Sequence, residues 1–419
     1  MRNKLLAYLA ATVYSCLFLI GTAQAQLSLQ QAEQMALEYD AELQIKRARS
    51  GAFKEESVAA DTLPDPRLKL GLMNFPTDTF ERDQEPMTQV QVGVQQMFPR
   101  GDSLQIKSRQ ALQSSQAMEF AASDRERKIR LDVRKAYLDL LFWLQSEEVV
   151  RNNIRLFSQL VEITQSQYAA GIQRQQDVIH AELELGMLND RLDAIRTNQG
   201  KSRARLSKLI GIDKPGQLVD GLPVMPALPS DNQWLGNVEQ HPLVQMEASM
   251  VARSLNGIEL AKQAYKPDWM LDLTYGFRDG NNPNGSERAD FLSAMVSIDL
   301  PLFTGDKQDR TLAASRHQHY AAMQAREERL RKLKSQLQSE QSDWETAQQR
   351  INRFHKIIVP QSEENAKAAL YAYQNRRGNF NSLMRARITE LETKLKFLKL
   401  RISYLKSQAQ LLYLVGEGQ

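Results

Sequence analysis

The histidines and carboxylates of this sequence do not have the spacing of a metal-binding or catalytic site. A zinc protease needs a pair of histidines one helical turn apart, and the stretch His180-Ala181-Glu182 supplies only one. His317 and His319 are two residues apart, so on a helix they would point to different faces, and we predict that both are solvated. No glycine-rich phosphate loop follows a predicted strand, and no serine stands in a nucleophile elbow. The sequence therefore predicts a protein that is not an enzyme and has no cofactor and no metal site.

The charge balance gives no support for a nucleic-acid partner. The chain has 54 Lys and Arg against 50 Asp and Glu, which is a net charge of +4. The basic residues between Arg125 and Lys135 are interleaved with Asp124, Glu126 and Asp132, a pattern typical of a solvated helix face. We therefore expect no nucleic acid among its partners.

Residues 1–25 have the features of a secretory signal peptide. Arg2 and Lys4 precede an apolar run, and small residues before Ala25 form a signal-peptidase site. We expect cleavage after Ala25, which would remove Cys16, the single cysteine of the sequence. The alternative is that Cys16 is lipid-modified. No later run of about 18 apolar residues follows, so an exported chain that enters a membrane would have to use β-strands.

The chain is predicted to be an internal duplication. Three pairs of similar segments recur at offsets of 203, 204 and 205 residues. These pairs are 63–65 with 266–268, 98–102 with 302–306, and 209–211 with 414–416. An offset this constant over the whole chain indicates two repeats. We place the repeats at residues 26–212 and 233–419, joined by a proline- and glycine-rich linker at 213–232.

Each repeat has the same predicted order: a helix, a β-hairpin, and long helices that turn back once. The ranges are 28–62 and 233–265 for the leading helices, 64–100 and 267–304 for the hairpins, and 103–211 and 306–416 for the long helices. The long helices carry apolar residues about 3.5 positions apart, the spacing of knobs-into-holes packing. In the last helix these are Ile388, Leu391, Leu395, Leu398, Ile402, Leu405, Ala409 and Leu412. The stretch from Ser103 to Ala170, as one helix, would be about 100 Å long.

Apolar and polar residues alternate in the four predicted strands. The apolar members are Leu68, Leu70, Leu72, Val90, Val92, Val94, Trp269, Leu271, Leu273, Tyr275, Phe277, Ala294, Val296, Ile298 and Leu300. Each strand has about ten residues, enough for a tilted strand to cross a bilayer. Four strands are too few for a closed barrel, which takes roughly eight, so membrane strands would require several copies of the chain. The alternative is two soluble hairpins that cap a helical bundle.

With this plan, the chain resembles the TolC-like outer membrane factors over nearly all of its mature sequence. The resemblance implies a homotrimer in which a transmembrane β-barrel, set in outer membrane lipid, continues into a periplasmic α-barrel of long helices. It also implies two protein partners in a Gram-negative bacterium: a periplasmic adaptor (membrane fusion) protein and an inner-membrane pump, which we expect to be proton-driven. The implied function is the exit duct of a tripartite efflux system.

A short motif marks the first helical return. The pattern of the family is Tyr-x-x-Gly, then Asp and Ala farther on, and Tyr168, Gly171, Asp177 and Ala181 resemble it at every position. We expect this return to form the periplasmic tip of the first repeat.

The second return departs from the same pattern. Tyr373 and Ala386 match it, but Arg376 stands at the glycine position. We expect Gly378, two residues later, to take over the turn.

The resemblance also implies which residues line the constricted periplasmic entrance. They are Asp177 and His180 in the first repeat and Ser382 and Arg385 in the second, with Tyr373 as a hydrogen-bonding gate residue. A threefold ring of Asp177 would favour cations, whereas pairing of Asp177 with Arg385 would close the entrance. The structural alternative is that Asp177 and His180 are ordinary helix-turn or solvated residues.

A second motif concerns the cargo. Residues 83–88, Gln96 and 99–101 resemble the heavy-metal-efflux branch, which implies export of copper, zinc, cobalt or cadmium. Met73, Met87 and Met97 do not strengthen this, since we expect methionines in or beside strands to fill apolar surface. The alternative functions are an exit duct for type I protein or peptide secretion and a periplasmic coiled-coil scaffold or adaptor.

Overall fold

The computed structural model describes residues 26–213, 215–375 and 377–417, so the predicted signal peptide lies outside the described residues. The helices are α1 (Leu29–Tyr39), α2 (Ala41–Ala59), α3 (Ser103–Ala169), α4 (Gln175–Ile210), α5 (Trp234–Glu239), α6 (Pro242–Gln263), α7 (Gln308–Arg353), α8 (Val359–Gln374) and α9 (Phe380–Val415). The strands are β1 (Arg67–Met73), β2 (Gln89–Phe98), β3 (Asp268–Phe277) and β4 (Phe291–Asp299). The predicted fold class, mostly α with two β-hairpins, is confirmed.

The chain divides into two compact units that do not coincide with the two predicted repeats. Of the described residues, one unit takes in those up to Leu43, those within Arg125–Glu239 and those from Leu333 onward, and the other takes in Gln44–Asp124 and Gln240–Lys332. Each unit therefore contains segments of both predicted repeats. The duplication itself stays a prediction from the sequence.

Both leading helices are shorter than the sequence indicated. The helix predicted at 28–62 is divided at Asp40, whose Oδ1 accepts a hydrogen bond of 2.7 Å from the Leu43 N–H and so caps α2. The helix predicted at 233–265 is divided before Pro242, where His241 Nδ1 accepts from the Leu243 N–H at 3.2 Å. Each break follows from a side chain that competes for the first backbone donors of the next helix.

Asp40 also forms a two-point ion pair with α3. Arg125 Nη2 lies 2.6 Å from Asp40 Oδ2, and Arg125 Nε donates to Oδ1 at 3.1 Å. Burial raises the pKa of Asp40, but the bonds from Arg125 and from the Leu43 N–H outweigh it and hold that pKa below its usual range. The ionised carboxylate is therefore the form that the fold stabilises.

This depressed pKa predicts an acid-sensitive contribution to stability. It should be fully present above the unfolded pKa of about 3.9 and should be lost as the pH falls through the lower folded value. We expect Asp40→Asn to lower the melting temperature at about pH 7 and to have a smaller effect at about pH 3, as measured by thermal denaturation. Glu42→Gln is the matched control, because Glu42 reaches the same arginine at 3.2 Å but is half exposed. An equal loss at both pH values would contradict the assignment.

The four strands form one antiparallel sheet in the order β1-β2-β3-β4. Directly opposed residues in such a sheet share a face. The register opposes Val92 to Leu70 and to Tyr275, and Tyr275 to Leu292. One face, called the apolar face below, is thereby formed by Leu68, Leu70, Leu72, Val90, Val92, Val94, Gln96, Phe98, Trp269, Leu271, Leu273, Tyr275, Phe277, Leu292, Ala294, Val296 and Ile298.

The opposite face, called the polar face, differs from expectation in its methionines. It is formed by Arg67, Lys69, Gly71, Met73, Gln89, Gln91, Gly93, Gln95, Met97, Asp268, Met270, Asp272, Thr274, Gly276, Phe291, Ser293, Met295, Ser297 and Asp299. Met73 and Met97, which we expected to fill apolar surface, are nearly half exposed on this face. The expectation was wrong because strand position, set by the register, decides the face, whatever the hydrophobicity of the side chain.

Seven of the eight apolar residues predicted for the last helix are buried in α9: Leu391, Leu395, Leu398, Ile402, Leu405, Ala409 and Leu412. Ile388 is half buried. A π-helical segment at Phe354–Ile358 precedes α8, with the Val359 N–H bonded to the Phe354 carbonyl. Pro360 explains it, since proline has no N–H and displaces the carbonyl one turn earlier. Over the described residues, no helix is both long and apolar enough to cross a membrane.

Candidate functional site

The first helical return is built by the predicted tyrosine-glycine motif. Helix α3 ends at Ala169, and Gly171 adopts a left-handed backbone with φ of 71°. Its N–H donates to the Tyr168 carbonyl at 2.9 Å, and the Ile172 N–H donates to the Gln167 carbonyl at 2.8 Å. These bonds satisfy carbonyls at the end of α3 before α4 begins, which is the role of a C-terminal glycine.

Two glycine substitutions should have opposite effects. At Gly171 a Cβ would meet no atom within 4 Å, so Gly171→Ala would lose stability only through the left-handed backbone, by about 1–2 kcal/mol. Gly186 lies inside α4, also with open space and no left-handed φ, so Gly186→Ala should gain up to about 1 kcal/mol. Thermal denaturation of both variants tests this. A loss at both positions would indicate that crowding, not backbone conformation, limits these sites.

The second return uses different residues for the same turn. Helix α8 ends at Gln374, and Asn379 caps α9 by accepting a bond of 2.7 Å from the Ser382 N–H. Gly378 lies in the turn, but its backbone is not left-handed. It allows a close approach instead: a Cβ there would be 3.0 Å from the Cβ of Ala372, whose carbonyl accepts from the Gly378 N–H. Arg376, at the motif's glycine position, lies outside the described residues.

Tyr373 joins the two returns through its hydroxyl group. The side chain is buried, and its hydroxyl donates to Gln167 Oε1 at 2.8 Å. The Tyr373 hydroxyl oxygen in turn accepts a hydrogen bond from Gln173 Nε2 at 3.3 Å. Tyr373 is on α8 of the second half, whereas Gln167 and Gln173 flank the first return, so this hydroxyl links the two tips within one chain. Sequence reasoning missed both glutamines, because nothing local to them indicates a partner about two hundred residues away.

Aromatic contacts extend from Tyr373 to His180 through Phe380. The Tyr373 and Phe380 rings are 5.9 Å apart, and Phe380 meets the His180 ring edge-on at 6.3 Å. His180 is half buried, and its Nδ1 has no hydrogen-bond partner among the described residues. His180 therefore packs against Phe380 and is not fully solvated, and its place at the entrance stays a prediction.

The other predicted entrance residues are more exposed, and no side-chain hydrogen bond or ion pair joins them to one another in the described part of the chain. Asp177 lies in the first turn of α4, half exposed, where the positive end of the helix dipole favours a carboxylate. Ser382 and Arg385 are exposed on the first two turns of α9. Within one chain, no ion pair between Asp177 and Arg385 occurs in the described residues. Any such pair would have to form between copies.

The returning helices of the second half are held together by a charged cluster. Lys394 Nζ on α9 lies 3.0 Å from Glu363 Oε1 on α8 and 2.7 Å from Glu390 Oε1. Arg387 contacts the second oxygen of Glu390 at 2.9 Å. Burial lowers the pKa of Lys394, but the two carboxylates outweigh it, so that pKa is raised. The lysine therefore stays charged and fixes α8 to α9 behind the tip.

The residues that resemble the heavy-metal branch have structural contacts. Thr88 is buried, and its hydroxyl donates to the Asn74 carbonyl at 2.9 Å. Gln96 Nε2 donates to the Pro64 carbonyl at 2.9 Å, and Gly101 has a left-handed φ of 45°. These contacts shape the first hairpin and its loop. In the described part of the chain, no group of three or more His, Cys, Asp and Glu residues could hold a metal ion.

Solved structures with the same architecture are known. No protein-family model matches the chain, and no curated protein is significantly similar to it in sequence. The outer membrane protein VceC of Vibrio cholerae is 17% identical with a TM-score of 0.75, over 93% of this chain and 96% of VceC. A membrane protein of Pseudomonas aeruginosa is 16% identical with a TM-score of 0.79, over 93% of each chain.

A third similar structure is a channel solved in its open state. The outer membrane channel MtrE of Neisseria gonorrhoeae is 17% identical with a TM-score of 0.76, over 93% of this chain and 89% of MtrE. At such low identity the similarity concerns the fold, over 93% of this chain in each comparison. The resemblance read from the sequence is confirmed at this level: the protein has the fold of the TolC-like outer membrane channels.

Proposed function

We propose that this protein is the outer-membrane exit duct of a tripartite efflux system and that it works as a homotrimer. One observation carries the proposal: a single chain exposes a continuous apolar face across all four strands. Leu68, Leu70 and Leu72 on that face are each about 70% exposed. A water-soluble exported protein rarely leaves such a surface uncovered, whereas lipid would cover it.

The open edges of the sheet support the trimer. β1 and β4 each pair on one side only in the described chain, so each leaves a row of backbone donors and acceptors unpaired. Such edges are not tolerated in lipid, and four strands cannot close on themselves. Pairing of β4 of one copy with β1 of the next removes both edges. Three copies would then supply twelve strands.

We propose that the polar face of the sheet lines the lumen of the duct and that the two helical returns form its periplasmic entrance. The chain supplies a sealed path and a regulated entrance, and an inner-membrane pump with a periplasmic adaptor supplies the energy. We propose a proton-driven pump, in keeping with small toxic solutes as cargo.

Purified protein should test this proposal directly. We expect a detergent-solubilised trimer whose electrophoretic mobility changes on heating and which forms ion-conducting channels in planar bilayers. A mature protein recovered as a freely water-soluble monomer from the periplasm would contradict it and would favour the scaffold alternative.

We further propose that the cargo includes heavy-metal cations. Besides the resemblance of residues 83–88, four strand methionines, Met73, Met97, Met270 and Met295, lie on the polar face, where thioethers would meet soft cations such as Cu(I). A deletion strain should become more sensitive to copper, zinc, cobalt or cadmium, and the wild-type gene should restore growth. If sensitivity to every metal is unchanged while sensitivity to drugs increases, the proposal of a metal cargo is wrong and the proposal of an exit duct stands.

The entrance residues give a separate prediction. If Asp177 of one copy pairs with Arg385 of the next, Asp177→Ala combined with Arg385→Ala should raise single-channel conductance. Arg385→Ala alone should leave a ring of uncompensated Asp177 carboxylates and favour cations. If the double variant has the conductance of the wild type, the assignment of both residues to the entrance is wrong. Lys356→Ala, on the π-helical segment and away from the returns, serves as the charge-removal control.

A further inference from the structure

Away from the strand ends, the sheet carries a single pair of opposite charges. The described strands hold five charged residues, and all lie on the polar face: Arg67, Lys69, Asp268, Asp272 and Asp299. Arg67, Asp268 and Asp299 stand at strand ends, and Asp268 pairs with Arg100 at 3.0 Å. Lys69 on β1 and Asp272 on β3 are therefore the charges that remain between the two ends of the sheet.

These two residues contact each other across the intervening strand. Lys69 Nζ forms a short ion pair with Asp272 Oδ2, although β2 runs between their strands. The register opposes Lys69 to Gly93 and Gly93 to Thr274, so no side chain of β2 stands between the lysine and β3 at that position. A Cβ at residue 93 would come within 2.5 Å of the Thr274 hydroxyl. The glycine thus leaves room for the lysine to cross.

The carboxylate has all its contacts within this group. Thr274 donates to Asp272 Oδ1 at 2.7 Å, and Gln95 Nε2 lies 3.5 Å from Oδ2. The side chain of Asp272 is only 5% exposed, whereas that of Lys69 is 46% exposed. Asp272 is therefore covered and neutralised, although it lies on the face that would line a water-filled lumen.

We propose that the Lys69–Asp272 ion pair determines the ion selectivity of the membrane-spanning part of the duct by making its interior electrically neutral. This inference rests on the proposed function. In a trimer, three uncovered Asp272 carboxylates would surround one lumen and favour cations, and three unpaired Lys69 ammonium groups would favour anions. Paired, they form neither ring, so cargo of either sign passes this level without being held or repelled.

Reversal potentials of assembled channels under a salt gradient test the proposal. Lys69→Gln should raise the permeability ratio of potassium to chloride, and Asp272→Asn should lower it, each by about fivefold, since a unit charge at close range in water contributes roughly that factor. The double variant Lys69→Gln with Asp272→Asn should return to the wild-type ratio. The charge-swapped variant Lys69→Asp with Asp272→Lys should also keep it, because the pair is restored with reversed polarity.

The possible results separate the inference from the proposed function. If both single variants keep the wild-type ratio and only melt at a lower temperature, the pair merely ties β1 to β3 and the inference is overturned. Shifts of both single variants in the same direction would overturn it as well. If wild-type protein forms no channels at all, the proposed function as an exit duct is wrong, and the inference, which rests on it, is wrong as well.

Discussion

Replacing Leu70 with arginine is expected to abolish assembly of the protein in the outer membrane. Leu70 is 73% exposed in the single chain, in the middle of β1 on the apolar face. In a water-soluble protein such a surface change shifts stability by about 0.5 kcal/mol or less. On the lipid face of a membrane barrel an arginine costs about 2–4 kcal/mol near the midplane, and every copy in the ring carries it. The same substitution should therefore abolish assembly if the hairpins span the membrane and have little effect if they are soluble.

The neighbouring strand offers a matched control. Gln91 on β2 lies one position away from Val92, the direct partner of Leu70, but on the polar face. Gln91→Arg adds the same side chain at nearly the same depth, where water would solvate it, and we expect normal assembly. The measurement is the amount of heat-modifiable trimer in the outer membrane fraction. Normal assembly of Leu70→Arg would show that the apolar face does not meet lipid, and the scaffold alternative would then be preferred.

The local elements of this fold were predictable because each leaves a periodic pattern. Alternation in β1 to β4 gave the hairpins, and the spacing from Ile388 to Leu412 gave the buried side of α9. The same alternation also implied that both hairpins have an apolar face. It could not show that β2 pairs with β3, since Val92 and Tyr275 are far apart in sequence and any apolar partner would fit the pattern.

The breaks and cross-contacts were harder to predict, for different reasons. The break at Asp40 has a local signal, an aspartate that caps the helix beginning at Ala41, but it was hidden inside a continuous helical pattern. The π-helical segment before Pro360 has a similar local cause. The ion pair of Lys69 with Asp272 has none. It depends on register and on the empty space at Gly93, which only the folded sheet defines.

The candidate site shows the same division. The motif from Tyr168 to Asp177 located the first return, and Gly171 has the left-handed backbone that a glycine at this position predicts. The partners of Tyr373 could not be inferred, because glutamines such as Gln167 are common on helix surfaces and carry no local sign of a distant contact. Arg385 and Asp177, which charge alone suggested as a pair, do not meet within the described chain.

The second large effect is expected at the hydroxyl group of Tyr373. If the link between the two returns keeps the entrance closed, Tyr373→Phe should increase channel opening while leaving the fold intact. The phenyl ring can still pack against Phe380, so the change removes only the bonds to Gln167 and Gln173. Each such bond contributes about 1 kcal/mol, or roughly a fivefold change in an equilibrium constant. In the proposed trimer, two bonds in each copy would act on the same closed state, so we expect a rise in open probability of at least about tenfold.

Tyr371→Phe is the matched control for this experiment. Tyr371 is two residues away on the same helix but is 63% exposed, and its hydroxyl makes no hydrogen bond within the described residues. Single-channel recordings of both variants, with growth on toxic solutes as a second measurement, should separate the gate residue from a general loosening of α8. A higher open probability in Tyr373→Phe alone would place the closing contact at this hydroxyl, because the two variants lose the same atom from the same helix. Equal open probability in both would mean that the link holds the tip together without closing it, and the entrance would then have to be closed by contacts between copies.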